Sequence, residues 1–409
     1  MSAQRDECVR RDAADPLSSL REEFVLPDGV IYLAGNSLGA LPRSVPGRVG
    51  DVLEKEWGQG LVGSWNAAGW WEAPRRIGAR VASLVGAEPA EVVVGDGTSA
   101  NLFKAVVAGM RLRPDRRAVV GERGNFPTDL YITDGASELL GVEHRRVDPT
   151  VEGITSALAE GDVGAVLLSH VDYRTGTLRD MRALTALVQE HDAVMIWDLC
   201  HSVGAVPLEL SRCNVDFAVG CTYKYLNAGP GAPAFTYVAT RHHGTARQPL
   251  TGWHGHAAPF SAADAYHPAP GASAFLSGSQ PIVADAALEA SLEVWEQVDQ
   301  SALRAKSLAL TDIFIEGARA AGFEVLTPLD HAHRGSQVAL RHPHAYPIVR
   351  ALAARGIVGD FREPDVLRFG FAALYLRHVD AYDAASVLGE VVRSEEWREE
   401  RFQARSTVT

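Results

Sequence analysis

The feature that most constrains the fold is a series of short apolar stretches between residues 91 and 238, separated by helical patterns. The clearest are residues 164–171 and 193–198, which show no polar alternation. A strand that is apolar on both sides must be covered on both sides, which is typical of a mainly parallel sheet between layers of helices. The sequence therefore predicts an α/β domain, with further strands at residues 91–95, 117–121, 141–147 and 234–238.

Two charged side chains are predicted at the ends of neighbouring strands. Residues 216–231 carry an apolar run into a turn rich in glycine and proline, and this turn contains Tyr223 and Lys224. The strand before it ends in Asp198, and His201 follows. Because ligands of such sheets bind at the carboxyl ends of the strands, Lys224 and Asp198 are expected to face one cofactor that needs both groups.

A third strand end carries hydroxyl groups. The strand at 91–95 runs into a turn that contains Thr98 and Ser99, and a helix is predicted over residues 102–110. These residues could bind a phosphate, because free backbone N–H groups and the helix dipole meet an anion at a helix N-terminus. The pattern predicts equally well that one of the two hydroxyls is only an N-cap.

The amino-terminal part holds two further segments of interest. Residues 31–39 predict a short strand and a turn at Asn36, where backbone atoms can approach a ligand closely. An ordinary turn is the alternative. Trp65, Trp70 and Trp71 stand in an aromatic-rich loop, for which burial in the core is the simpler interpretation.

The chain is predicted to consist of three parts: an N-terminal arm with part of a small domain (1–60), a large cofactor-binding domain (61–282) and a C-terminal small α+β domain (283–409). Residues 1–28 are polar and charged, and are expected to form a loose arm or an exposed helix. Residues 240–280 lack periodicity and predict a long functional loop region. One long helix is predicted over residues 283–321, followed by strands at 323–327, 336–341 and 366–371.

The composition disfavours several classes of partner. The 409 residues are 46% hydrophobic, and the net charge of −12 argues against nucleic-acid and anionic-membrane partners, which attract basic surfaces. No apolar stretch reaches the roughly 18 residues that span a bilayer. No signal peptide is expected, since the first residues mix charges of both signs. The four cysteines lack the spacing of a disulfide framework, so a reducing cytoplasm is the simplest location.

The candidate residues match the needs of one cofactor. Pyridoxal 5'-phosphate requires a lysine for its Schiff base, an acid partner for its pyridine nitrogen, a phosphate-binding turn and an aromatic face over its ring. The sequence offers them in Lys224, Asp198, Thr98 with Ser99, and Phe126.

Five motifs between about residue 30 and residue 390 resemble those of the kynureninase family. They are Asn36-Ser-Leu-Gly39, Asn125-Phe-Pro-Thr-Asp129, Trp197-Asp-Leu-Cys-His201, Thr222-Tyr-Lys-Tyr-Leu-Asn-Ala-Gly-Pro-Gly231 and Gly252-Trp-His-Gly-His256. The resemblance implies the fold of the aspartate-aminotransferase-like, fold-type-I pyridoxal phosphate enzymes. Such a fold has a large domain with a seven-stranded, mainly parallel sheet and a smaller α+β domain. A homodimer with active sites at the interface is also implied.

The resemblance gives roles to individual residues. Lys224 becomes the Schiff-base lysine, Asp198 the partner of the pyridinium nitrogen and Tyr223 a proton shuttle. Arg368 becomes the clamp for the substrate carboxylate, for which a guanidinium fork is suited; a surface arginine is the alternative. The other implied cofactor contacts are Thr98, Ser99, Phe126, Asp129, Ser169, His201, Tyr223 and, across the dimer interface, Trp253 and Ser279. The implied substrate contacts are Asn36, Ser37 and Trp65.

The implied reaction is the hydrolysis of L-kynurenine to anthranilate and L-alanine. Trp65 and Ser279 resemble the bacterial-type members, which favours L-kynurenine over 3-hydroxykynurenine. A ring-substituted kynurenine stays open, as does the choice between tryptophan breakdown and a biosynthetic pathway. An aminotransferase of the same fold is the alternative activity.

Three other kinds of site are disfavoured. A cysteine desulfurase or selenocysteine lyase needs a nucleophilic cysteine well beyond the lysine, whereas all four cysteines precede Lys224. A nicotinamide oxidoreductase needs G-x-G-x-x-G after an early strand, and Gly95-Asp-Gly97 is too short a match. Zinc at the His-x-His pairs that begin at His254, His331 and His342 is disfavoured, so no metal is expected.

Overall fold

A computed structural model of the protein describes residues 3–261 and 264–405. Its strands are β1 (Phe24–Val25), β2 (Ile31–Tyr32), β3 (Leu41–Pro42), β4 (Val92–Val94), β5 (Ala118–Glu122), β6 (Glu143–Val147), β7 (Val163–Ser169), β8 (Val194–Asp198), β9 (Phe217–Gly220), β10 (Phe235–Val238), β11 (Glu324–Val325), β12 (Gln337–Arg341), β13 (Ile357–Val358), β14 (Asp360–Arg362) and β15 (Val366–Gly370). Its α-helices are α1 (Ala3–Ala13), α2 (Ser44–Asp51), α3 (Ser64–Ala67), α4 (Ala73–Val85), α5 (Thr98–Arg111), α6 (Pro127–Leu140), α7 (Val151–Leu158), α8 (Met181–Glu190), α9 (Ile282–Glu293), α10 (Gln300–Ala320), α11 (Ala345–Ala354) and α12 (His378–Arg393). Within the two described ranges, no helix is long and apolar enough to cross a membrane.

A seven-stranded sheet of order β4-β10-β9-β8-β7-β5-β6 carries the strand ends of interest. Strands β5 to β9 are parallel, and only β10 runs against both of its neighbours in this sheet, so β4 points the same way as β9. Helices α5 and α6 pack on one face, and α4, α7 and α8 pack on the other. All residues of β7, β8 and β9 are consequently buried. The predicted fold class is confirmed.

The N-terminal segment is fixed to the C-terminal part of the chain. A four-stranded antiparallel sheet of order β11-β12-β15-β14 forms that part, and β2 pairs in parallel with β13 beside it. Asp12 of α1 accepts hydrogen bonds from the backbone N–H groups of His378 (2.6 Å) and Val379 (3.0 Å) at the start of α12. Lys306 and Asp15 form a buried ion pair of 2.7 Å. The expectation of a loose arm is wrong, because these contacts anchor α1. The alternative, an exposed helix, is confirmed, since Cys8 is the only buried residue that α1 contains.

Two secondary-structure predictions are wrong for physical reasons. The single helix predicted over 283–321 is two helices, because the Asp299 carboxylate accepts hydrogen bonds from the N–H groups of Ser301 and Ala302 and starts α10 anew. Strands β13 and β14 are absent from the prediction. β14 has charged residues at both ends, Asp360 and Arg362, so an apolar pattern cannot reveal it.

Candidate active site

A cavity of about 250 Å³ lies at the carboxyl ends of the parallel strands. It brings together eleven of the predicted site residues: Asn36, Ser37, Thr98, Ser99, Phe126, Asp129, Asp198, His201, Tyr223, Lys224 and Arg368. Three further residues line it: Thr128, Cys200 and Arg362. Segments far apart in the sequence therefore form one site.

The turn that carries Lys224 is held by the N-terminal segment. The Gly39 N–H donates to the carbonyl of Tyr223 (2.8 Å), and the Asn227 amide donates to the carbonyl of Ala40 (3.1 Å). A Cβ at Gly39 would lie 2.3 Å from the carbonyl oxygen of Lys224, so a side chain there cannot be accommodated. This close packing fixes the backbone from which the lysine extends.

His201 is a polar neighbour of the lysine. Its Nε2 lies 3.3 Å from Nζ of Lys224. Burial, and then the positive charges of Lys224 and Arg368, lower the pKa of His201 well below its usual value. The imidazole is therefore neutral and adds no second positive charge beside the lysine.

Two carboxyl groups meet in the lining of the cavity. Asp198 is the last residue of β8, and its Oδ1 accepts a hydrogen bond from the N–H of Cys200 (2.8 Å). Burial, and then the negative charges of Asp198 and Glu122, raise the pKa of Asp129 well above its usual value. Asp129 is therefore the protonated partner and hydrogen-bonds to Asp198.

Ser169 lies behind this pair and is outside the cavity lining. Its hydroxyl donates to Oδ1 of Asn125 (2.8 Å), and the Asn125 amide donates to Asp129 (3.1 Å). Ser169 therefore reaches the site through Asn125, a residue of the quoted motif that the sequence prediction did not single out.

The N-terminus of α5 has no side-chain cap. Gly97 is the N-cap residue, so the interpretation of Thr98 or Ser99 as a mere N-cap is wrong. The first N–H groups of a helix lack intrahelical partners and are suited to an anion. Behind the turn, the buried Lys104 ammonium contacts Asp96 (2.5 Å) and donates to the carbonyl of Phe275 (2.7 Å).

Arg368 is buried, so the interpretation as a surface arginine is wrong. Its Nε and Nη2 contact the Asp360 carboxylate at 2.8 and 2.5 Å. Nη2 also donates to the Ser37 hydroxyl (2.9 Å), and Nη1 donates to the carbonyl of Tyr173 (2.6 Å). The guanidinium is held rigidly at the wall of the cavity.

Trp65, Trp253 and Ser279 do not line this chain's cavity. Trp65, Trp70 and Trp71 are half-buried and belong to neither apolar core of the described residues. The prediction that they are core residues is wrong. Instead, the ring centroids of Trp65 and Trp71 lie 6.0 and 4.9 Å from that of Trp253, which is 38% exposed.

The sequence prediction missed three lining residues. Thr128 and Cys200 lie within quoted motifs, which could have indicated them. Arg362 lies on the strand without an apolar pattern and gave no such signal.

The hydrogen bond with Cys221, and then burial, raise the pKa of Cys200, so this side chain is a thiol and not the thiolate that a cysteine nucleophile requires.

The histidine pairs have other partners. Among residues 3–261 and 264–405, no group of three or more His, Cys, Asp or Glu side chains could hold a metal ion. His254 stacks on Trp71 at 4.1 Å, and His331 pairs with Asp312 at 2.9 Å.

The donor set of the cavity fits pyridoxal phosphate. An amine, a carboxylate with a protonated neighbour and an uncapped helix N-terminus surround one space. Phe126 presents an aromatic ring to it, packed edge-to-face against Tyr173 at 5.3 Å.

Solved structures share the fold. A cysteine desulfurase from Thermococcus onnurineus NA1 matches with a TM-score of 0.78 and 19% identity, covering 92% of this chain and 98% of that chain. The cysteine desulfurase CsdA from Escherichia coli matches with a TM-score of 0.78 and 17% identity, covering 93% and 98%. These likenesses show the fold alone. Fold and site together define a fold-type-I pyridoxal phosphate-dependent enzyme.

The sequence relatives define the family. Residues 303–388 match the model of the kynureninase C-terminal domain. Kynureninases from Burkholderia pseudomallei strain 1106a and Pseudomonas fluorescens are 48% and 47% identical over 415 residues, covering 99% of this chain and 99% of each relative. The chain belongs to the kynureninase family. It is therefore a pyridoxal phosphate-dependent hydrolase of kynurenine, as the motifs predicted.

Glu122 gives the site a pH-dependent stability. Burial raises its pKa to about 7, against the opposing charge of Arg179 at 3.2 Å. An unfolded glutamate titrates near pH ~4.3, so the folded chain binds this proton more tightly. The contribution to the free energy of unfolding is fully present below that pH, falls as the pH rises towards 7 and levels off above it.

We expect Glu122→Gln to flatten this fall, measured as the free energy of unfolding from pH 4.5 to 8. The exposed Glu152 provides the control, because Glu152→Gln should keep the wild-type slope. A wild-type slope in Glu122→Gln would contradict the assignment.

Proposed function

We propose that the cavity hydrolyses L-kynurenine to anthranilate and L-alanine, with Lys224, Asp198 and Arg368 as its principal residues. The observation that carries the proposal is that these three residues, from separate parts of the chain, line one cavity. Pyridoxal phosphate, when bound, supplies the electron sink for negative charge that develops on the substrate. The protein residues bind the substrate and move its protons.

Lys224 removes the proton from Cα of the substrate. An amine acts as a base only when it is unprotonated, and the neutral His201, whose Nε2 lies 3.3 Å from Nζ, can accept a hydrogen bond from this amine without adding a charge beside it. Asp198 holds a proton at the pyridine nitrogen. The protonated Asp129 supports this role, because it keeps a second negative charge out of the buried site.

Tyr223 donates the proton that Cβ receives. Burial raises the pKa of its phenol, so the phenol stays protonated at neutral pH. Water adds to the γ-carbonyl of kynurenine, the Cβ–Cγ bond breaks and anthranilate leaves. The phenol then protonates Cβ and recovers a proton from the water that was added at Cγ. Lys224 returns its proton to Cα, which completes L-alanine and balances the hydrolysis.

The proposed active unit is a homodimer. Trp253 and Ser279 are exposed and stand outside their own chain's cavity. Phe260, 76% exposed, extends the same aromatic surface at 5.8 Å from Trp253. Covering such a surface is favourable, and a partner chain that covers it would receive Trp253 and Ser279 beside its phosphate.

We place the enzyme in the cytoplasm because its four cysteines are unpaired, as a reducing compartment requires.

Lys224→Ala tests the central role. We expect loss of turnover and of the covalent cofactor adduct that borohydride reduction leaves on the wild-type chain, because no other amine would replace Nζ. Mass spectrometry of the reduced chain measures the adduct. Lys55 is exposed in an ion pair with Asp51, so Lys55→Ala should keep both properties. An adduct retained in Lys224→Ala would remove this lysine from the role.

Mixing two inactive variants tests the shared site. Lys224→Ala and Trp253→Ala chains, unfolded and refolded together, should recover about a quarter of the wild-type activity. Half of the dimers are then mixed, and one of their two sites is intact. Each variant refolded alone is the control. Activity of the mixture no higher than the mean of the two controls would contradict a site shared between chains.

Trp65 and Ser279 lead us to propose L-kynurenine as the preferred substrate. We expect a higher kcat/KM for L-kynurenine than for 3-hydroxykynurenine or ring-methylated kynurenines in steady-state assays of anthranilate release. A higher value for the 3-hydroxylated substrate would reverse the assignment and leave the hydrolase activity itself in place.

A further inference from the structure

The cavity contains a second arginine that has no role in the steps above. Arg362 of β14 and Arg368 of β15 both contact the Asp360 carboxylate, through Nη2 at 3.1 and 2.5 Å. Both also reach the Ser37 hydroxyl, at 3.3 and 2.9 Å. Two guanidinium groups thus share one carboxylate and one hydroxyl at the same wall.

Arg368 has little hydrogen-bonding capacity left. A guanidinium carries five N–H donors. Those of Arg368 make two bonds to Asp360, one to Ser37 and one to the carbonyl of Tyr173. One donor remains, so Arg368 alone cannot form the two parallel bonds that a guanidinium fork makes with a carboxylate.

Arg362 has the capacity that Arg368 lacks. In the described part of the chain its hydrogen bonds are made by Nη2, so Nη1 is free as well as the buried Nε, and its side chain, 31% exposed, lines the cavity. Two positive charges also face the single negative charge of Asp360. Burial, and then the charge of Arg368, lower the pKa of Arg362, as expected for a cation that lacks a full counter-charge.

We propose that Arg362 is a second substrate-binding residue, which holds the α-carboxylate of the substrate together with Arg368. Asp360 is a positioning residue that fixes both guanidinium groups. The inference rests on the proposed role of Arg368 and extends it. It makes the site selective for amines that carry a free α-carboxylate.

The test compares ligands with and without that carboxylate. In Arg362→Gln we expect the KM for L-kynurenine to rise about tenfold, the loss typical of one hydrogen bond to a charged group, with a smaller change in kcat. The inhibition constant of the decarboxylated amine of kynurenine should stay within about twofold, because this ligand has no carboxylate to lose. Cofactor retention should be unchanged. Arg362→Lys keeps the charge, so its KM for L-kynurenine should lie between those of the wild type and of Arg362→Gln.

Two further variants separate the possible failures. Arg341, exposed and paired with Glu324, provides the control, since Arg341→Gln should change neither constant. Equal losses for both ligands in Arg362→Gln, or loss of the cofactor, would overturn the inference. The inference would also be overturned if Arg368→Gln weakened the binding of L-kynurenine more than that of the decarboxylated amine while Arg362→Gln did not. That result would leave the role of Arg368 standing. If neither variant shows such a loss, the proposed clamp itself fails.

Discussion

The site depends on the register of the parallel strands at its floor. Ser169 stands opposite Asp198 in the pairing of β7 with β8, and Asp198 stands opposite Val219 in the pairing of β8 with β9. Successive side chains of a strand point to opposite faces, so a slip of one residue would reverse every side chain. The hydrogen bonds of three buried strands therefore determine that the carboxylate of Asp198 and the turn bearing Lys224 come to the same cavity.

The buried charges of the cavity are balanced in small groups. Charge is costly to bury unless it is neutralised or paired. His201 is neutral beside Lys224, Asp129 is protonated beside Asp198, and Asp360 lies between two arginines. What remains is an excess of positive charge on the side of β14 and β15 and an uncapped helix N-terminus at α5. These are the two places where an anionic substrate group and a phosphate would be stabilised.

The sequence predicted the parts of the fold that follow from apolar pattern and short-range geometry. The strands that lead to Thr98, Asp198 and Lys224 are uniformly apolar, and their common edge follows from a parallel sheet. The break before α10 was missed because one capping carboxylate, Asp299, outweighs a continuous helical pattern. Arg362 was missed because its strand has no apolar pattern. Ser169 acts through Asn125, an arrangement that only coordinates can reveal. The prediction that the tryptophans are core residues failed because burial statistics describe the average tryptophan, whereas Trp65, Trp70 and Trp71 are half-buried in this chain.

The wall proposed to bind the substrate carboxylate joins residues from the two ends of the chain, and this has a consequence for biosynthesis. The hydroxyl of Ser37 donates to Asp360 at 2.5 Å across a separation of 323 residues. At roughly 5–20 residues per second, about 15–65 s separate the synthesis of these two residues. In the last part of this interval, once Lys224 has been made, a nascent chain carries the lysine turn and the helix N-terminus but not the proposed clamp for an amino acid. Recognition of the substrate is therefore acquired last, when the ribosome has nearly finished the chain.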